Sequence, residues 1–130
     1  MENVFKKDGT NVGIITSADI KNVPITDIFQ TNENYTMIAG QAFMIGKYYD
    51  IWMVIRKDSG YFETSDEVIG KFKKTVDISN IYYGSFDSDN EWFVNDVGYI
   101  GILTDSTIVH KSKIASTYKY ARIHCAVRFK

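Results

Sequence analysis

The densest set of oxygen-bearing side chains in this 130-residue chain is Asp87-Ser88-Asp89-Asn90-Glu91, whose carboxylates, hydroxyl and amide could wrap a hard cation such as calcium. A helix-loop-helix calcium loop needs Gly at its sixth position and Glu at its twelfth; counted from Asp87, those places hold Trp92 and Gly98. The run therefore reads as a solvated hairpin tip, and no metal is expected. His110 and His124 fall on separate predicted strands and lack the close spacing of zinc motifs, so surface positions are expected for both. A Gly-x-Ser-x-Gly elbow is absent, and Gly98-Tyr99-Ile100-Gly101 lacks the Lys-Ser/Thr ending and following helix of a phosphate loop. With no convergent acid, base and nucleophile, no catalytic residue, enzymatic activity or cofactor is expected.

Aromatic rings beside this polar run offer a different chemistry. Tyr82, Tyr83 and Trp92 bracket the loop, and flat rings next to carboxylates and amides hold sugars by apolar stacking plus fixed hydrogen bonds. Tyr82, Tyr83, Asp87, Asp89, Asn90 and Trp92 are thus the expected receptor-binding or glycan-binding set. The competing reading of the same rings is packing in a core or interface.

The elements that must position these residues are predicted to be strands. Nine Tyr, eight Phe and two Trp beside a single Pro favour pleated, half-buried surfaces. From Ala121 onward, Ala121, Ile123, Cys125, Val127 and Phe129 alternate with Tyr120, Arg122, His124, Arg128 and Lys130, the pattern of a strand with one buried and one wet face. Cys125, the lone cysteine, sits on the apolar side as an inert small hydrophobe. Upstream, the runs 99–103 and 107–109 are joined by Thr104-Asp105-Ser106, whose side chains favour a turn, giving a terminal meander.

Earlier in the chain, Asp8-Gly9 signals a small hairpin or an extended arm. Residues 16–30 read as a loop or one short helical turn from Ser17, with Pro24 disfavouring a long helix. Runs 35–45 and 48–56 look like paired strands about Gly46-Lys47. In the second run Ile51, Met53 and Ile55 alternate with Trp52 and Val54, so both faces are apolar. Either that strand is covered on both sides within the chain, or residues 51–55 form part of a subunit interface. Residues 67–74 are expected as strand or loop, 75–83 as strand, and 84–90 as a polar loop before Glu91-Trp92-Phe93-Val94 resumes the sheet.

Length bounds the chain to one core, and a net charge of -1 supplies no global field to draw nucleic acid or an anionic membrane. Residues 1–10 carry Glu2, Lys6, Lys7 and Asp8, so neither a secretion signal nor membrane insertion is expected.

The span 41–130 resembles the C-terminal head domains of bacteriophage tail-fibre, baseplate and related receptor-binding proteins. The matching pieces are residues 51–56, Val68-Ile69-Gly70-Lys71-Phe72, residues 78–83, Gly98-Tyr99-Ile100-Gly101-Ile102, Thr104-Asp105-Ser106 and residues 123–129. The opening Phe5-Lys6-Lys7-Asp8-Gly9-Thr10-Asn11-Val12-Gly13 resembles the start of small virion proteins such as head-fibre proteins. Two departures stand out: Phe72-Lys73 replaces the frequent Leu-Pro, and Asp105-Ser106 replaces the usual Asp-Gly turn.

The resemblance implies an all-β, antiparallel β-sandwich, jelly-roll-like, with a short N-terminal arm over residues 1–30 and the sandwich over 31–130. It further implies a non-enzymatic homotrimer in the virion, made in the host bacterial cytoplasm. Such a trimer would bind other virion proteins through the arm and a bacterial surface glycan through the loops, as a receptor-binding, fibre or decoration module. Residues 118, 120, 122 and 124 on the wet face of the last strand are a second candidate contact. The rival is a small β-barrel enzyme or ligand-binding protein with an apolar pocket enclosed in one subunit.

Overall fold

The computed structural model describes residues 20–77, 81–90, 95–114 and 117–130. The expected hairpin at Asp8-Gly9 and the expected strand Glu91-Trp92-Phe93-Val94, with Trp92 of the sugar-binding set, lie outside these residues. In order come β1 (Ile20–Val23), α1 (Ile25–Ile28), β2 (Phe29–Thr31), β3 (Tyr35–Ile45), β4 (Tyr48–Lys57), β5 (Glu67–Phe72), β6 (Ile81–Ser88), β7 (Asn95–Ile102), β8 (Thr107–Ser112) and β9 (Tyr120–Arg128). Among the described residues no helix is long and apolar enough to cross a membrane.

The alternating C-terminus forms β9, with Ala121, Ile123, Cys125 and Val127 buried and Arg122, His124 and Ala126 exposed. Strands β3 and β4 pair from Tyr35↔Lys57 to Ile45↔Tyr48 about Gly46, whose φ of 61° suits a hairpin turn that needs the left-handed region. The Thr104-Asp105-Ser106 turn joins β7 to β8, and Ser106 takes the left-handed φ of 70° that explains why glycine suits that place. Residues 67–72 are strand β5, paired with β8 and β2.

Among the described residues the strands join one antiparallel nine-stranded sheet in the order β1-β3-β4-β9-β6-β7-β8-β5-β2. Its two edges, β1 and β2, are consecutive strands joined through α1. A flat sheet would hold those edges ~38 Å apart at ~4.8 Å per spacing, whereas the six Cα steps from Val23 to Phe29 reach at most ~20 Å. The sheet must therefore curl, and it forms a half-barrel.

The concave side is filled by Ile51, Met53 and Ile55 of β4, Ile69 and Phe72 of β5, Ile100 and Ile102 of β7, Ile108 of β8, and Phe62 from the β4–β5 connection. Each such side chain contributes about 1.5–3 kcal/mol on burial. Phe72 packs edge-on against Phe29 at 5.5 Å and Phe129 at 5.3 Å, and Phe129 against Tyr49 of β4 at 5.1 Å, so distant parts of the sheet meet across the core.

Several expectations are corrected here. Residues 84–88 are not loop: β6 runs on to Ser88 and pairs with both β7 and β9. The proposed arm is not separate up to residue 30, because residues 20–31 supply both sheet edges and bury Ile25, Ile28 and Phe29 in the core. Within 16–30 a short helical turn, α1, follows Pro24, whose fixed φ and missing donor suit a helix entry, while Ser17 lies outside the described residues. Finally, Ile51, Met53 and Ile55 face the chain's own core at 0–1% exposure, which withdraws them from the expected subunit interface. Trp52 and Val54 point the other way.

Candidate functional site

Strand β6 carries its polarity inside out. Ser85 and Asp87 point into the barrel and are fully buried, while Tyr82 and Phe86 point outward at 65% and 49% exposure. The buried pair meets His110 of β8, also fully buried, which corrects the expected surface position of that histidine. Ser85 Oγ donates to Asp87 Oδ1 at 2.9 Å, and His110 Nε2 stands 3.1 Å from Ser85 Oγ and 3.2 Å from Asp87 Oδ1. The imidazole packs on the Phe62 ring at 4.3 Å, and the cluster closes over Gly98, where a Cβ would lie 2.3 Å from Asp87 Oδ2.

Serine, histidine and aspartate together invite comparison with a nucleophilic triad. In a triad one imidazole nitrogen takes the serine proton and the other is held by the acid. Here a single nitrogen, Nε2, faces both partners, and the serine donates its proton to the aspartate. Nδ1 has no hydrogen-bond partner among the described residues, and Ser85 is closed to solvent. The arrangement is that of a polar pin that ties β6 to β8 across β7.

A second polar cluster joins β3, β4 and β5. Lys57 Nζ pairs with Glu67 Oε1 at 2.8 Å and donates to the Tyr61 carbonyl at 3.0 Å; Glu67 also accepts from the Tyr35 hydroxyl and, at 2.7 Å, from the Glu63 amide. Burial, then the hydrogen bond to Glu67, pushes the Tyr35 phenol well above its ordinary range. These bonds anchor the β4–β5 connection that carries Phe62. Among the described residues no group of three or more His, Cys, Asp or Glu could hold a metal ion.

The outer face of β4, β9 and β6 is where apolar surface meets solvent. Across the strands, Val54, Arg122 and Phe86 stand in one row, and Trp52 pairs with His124 in the next. The Trp52 indole, 37% exposed, stacks on His124 at 3.7 Å with the planes 8° apart, and the Arg122 guanidinium lies 5.3 Å from its centroid. His124 Nε2 is in turn 2.5 Å from Asp50 Oδ1. On the β3 side of Trp52 runs an open groove of about 860 Å³, walled by Trp52, Phe43 and Pro24 and floored by Ala39 and Val54.

The expected sugar-binding set does not come together. Tyr82 is exposed on the outer face, whereas Tyr83, one residue on, turns inward and donates its hydroxyl to the Ala126 carbonyl at 2.6 Å. Asp87 is buried in the pin and unavailable to a receptor; Asp89 and Asn90 are exposed past the end of β6. By contrast, Arg122 and His124 of the wet face are exposed as expected, with Tyr118 and Tyr120 half-buried. Sequence reasoning missed the His110 pin because the inward set of β8, Ile108, His110 and Ser112, is mostly polar while apolar Val109 faces the other way, so the alternation does not mark the inner face. Cys125 is buried as expected.

No family model, curated protein or solved structure matches the chain.

Proposed function

We propose that the chain is a non-enzymatic bacteriophage virion module, homotrimeric, that binds a bacterial surface glycan through the outer face of β4, β9 and β6. The phage assignment rests on the residue resemblance given above. The observation that carries the binding reading is the inversion of β6 together with exposed Trp52: large rings face solvent where the inner face holds polar groups, and exposed rings suit the apolar faces of sugars. The enclosed Ser85 supports a structural rather than a hydrolytic use of the Ser-His-Asp cluster.

The sandwich reading takes the curl as two halves of the sheet facing across one core, jelly-roll-like; the ring contacts from Tyr49 of β4 through Phe129 to Phe72 of β5 support it. Attachment to other virion proteins is assigned to the residues ahead of β1. The interface set shrinks to Trp52 and Val54, which share the outer face with the proposed glycan site.

Light scattering and binding to a panel of lipopolysaccharides and wall polysaccharides test the proposal together. A trimeric mass is expected, with Trp52→Ala keeping the mass and the melting temperature while losing polysaccharide binding. A Trp52→Ala protein that dissociates would reassign the indole to the subunit interface, and a monomeric wild type that binds no polysaccharide would overturn the reading.

A further inference from the structure

Resting on the reading of the outer face as a glycan site, the geometry points to a carboxylate-bearing sugar, a uronic or sialic acid unit, as the ligand of the groove between β1 and Trp52. Among the described residues the walls supply one cation and no carboxylate: Arg122 is the charged member of the lining, accompanied by the amides of Asn22 and Gln41. In a chain whose net charge is -1, that local balance is an inversion. Arg122 stands between Val54 and Phe86 in the register, and among the described residues no salt bridge satisfies it. Asp50, on the same face of β4 as Trp52, is taken by His124. A guanidinium held against an indole and left without a carboxylate presents a planar fork to an incoming one.

The indole completes the fit. His124 covers the side of Trp52 toward β9, so the side toward β3 fronts the groove, where the apolar face of a pyranose can lie on it while Asn22 and Gln41 reach its hydroxyls. The volume, about 860 Å³, exceeds one sugar unit and falls within the range of small-ligand sites.

The test uses the full chain carrying Trp92→Phe, so that Trp52 is the sole indole reporter. Glucuronic acid, N-acetylneuraminic acid and galacturonic acid trisaccharide are titrated by fluorescence, each beside its carboxyl-reduced counterpart. Acid forms are expected to quench Trp52 and to bind about tenfold or more tighter than the reduced forms, and Arg122→Gln is expected to erase that difference. Equal binding of acid and reduced forms, or an Arg122→Gln protein that still discriminates, overturns the inference and leaves the glycan reading standing. So does failure of every acid sugar while the polysaccharide panel still binds. Failure of both the sugars and the panel overturns the two together.

Discussion

Replacing Gly98 with alanine puts a methyl group where three locked side chains already stand. The new Cβ would lie 2.3 Å from Asp87 Oδ2, 2.4 Å from Ser85 Oγ and 2.8 Å from His110 Nε2, all closer than carbon tolerates. None of the three can swing to solvent, since each is fully buried and tied to the others. Overpacking costs about 1–3 kcal/mol, and a buried polar group forced off its partner adds ~1–3 kcal/mol. A loss of roughly 2–6 kcal/mol follows from the two together, a large part of the ~5–15 kcal/mol that holds a domain folded.

Gly101→Ala, on the same strand, is the internal control. Its Cβ would meet Tyr82 Cε1 at 2.8 Å, but Tyr82 is 65% exposed and its ring can turn aside, so less than about 1 kcal/mol is expected. Urea unfolding of both variants measures the contrast; a difference of ~3 kcal/mol at a slope of ~2 kcal/mol/M lowers the Gly98→Ala midpoint by ~1.5 M relative to Gly101→Ala. Adding Ser85→Ala to Gly98→Ala removes the 2.4 Å contact and should recover part of the loss as a positive coupling. Coincident midpoints for Gly98→Ala and Gly101→Ala would refute the pinned cluster.

The remaining expectations concern other parts of the barrel. Lys57→Met leaves Glu67 partly buried without its cation and should cost ~3 kcal/mol in urea unfolding, whereas Lys57→Met with Glu67→Met should be milder than the single change. Burial pushes the Cys125 thiol up to about 12, so Ellman's reagent at pH 8 should label it only after unfolding; prompt labelling of the native chain would contradict the packing of β9. Hydrogen bonds from the Thr107 hydroxyl and amide hold the Asp105 carboxyl below its ordinary value of 3.8. A depressed carboxylate stabilises the fold above its unfolded value, and that contribution disappears as pH falls through the folded one. Carbon-detected NMR titration should therefore place Asp105 below an unfolded reference, and Asp105→Asn should flatten the acid limb of stability; an Asp105 titration at the reference value would sink the assignment.

The strands of the second half were legible in the sequence because a one-sided sheet writes its period of two into the residues, as in 121–129 and the turn at 104–106. The hairpin at Gly46-Lys47 was legible for the same kind of reason, since a left-handed turn residue between apolar runs leaves few alternatives. On β4 the pattern stopped short: Ile51, Met53 and Ile55 look no different in sequence from Trp52 and Val54, and only the curl of the sheet decided which set faced the core.

Local composition pointed the wrong way on β6. Gly, Ser, Asp and Asn favour turns when isolated, but Ser85 and Asp87 find a partner in His110 of β8, 25 and 23 residues away respectively, and a buried polar group with partners can stay in a strand. Nothing near residue 87 announces His110. The outer face likewise joins residues distant in the chain, Trp52 from β4, Phe86 from β6 and Arg122 from β9, because antiparallel pairing sets neighbours by register rather than by order. That this chain is a β protein, and where many of its strands run, is written in its residue pattern. Which rings face water and which acid is locked away depends instead on the curl of a sheet whose edge strands are neighbours in sequence.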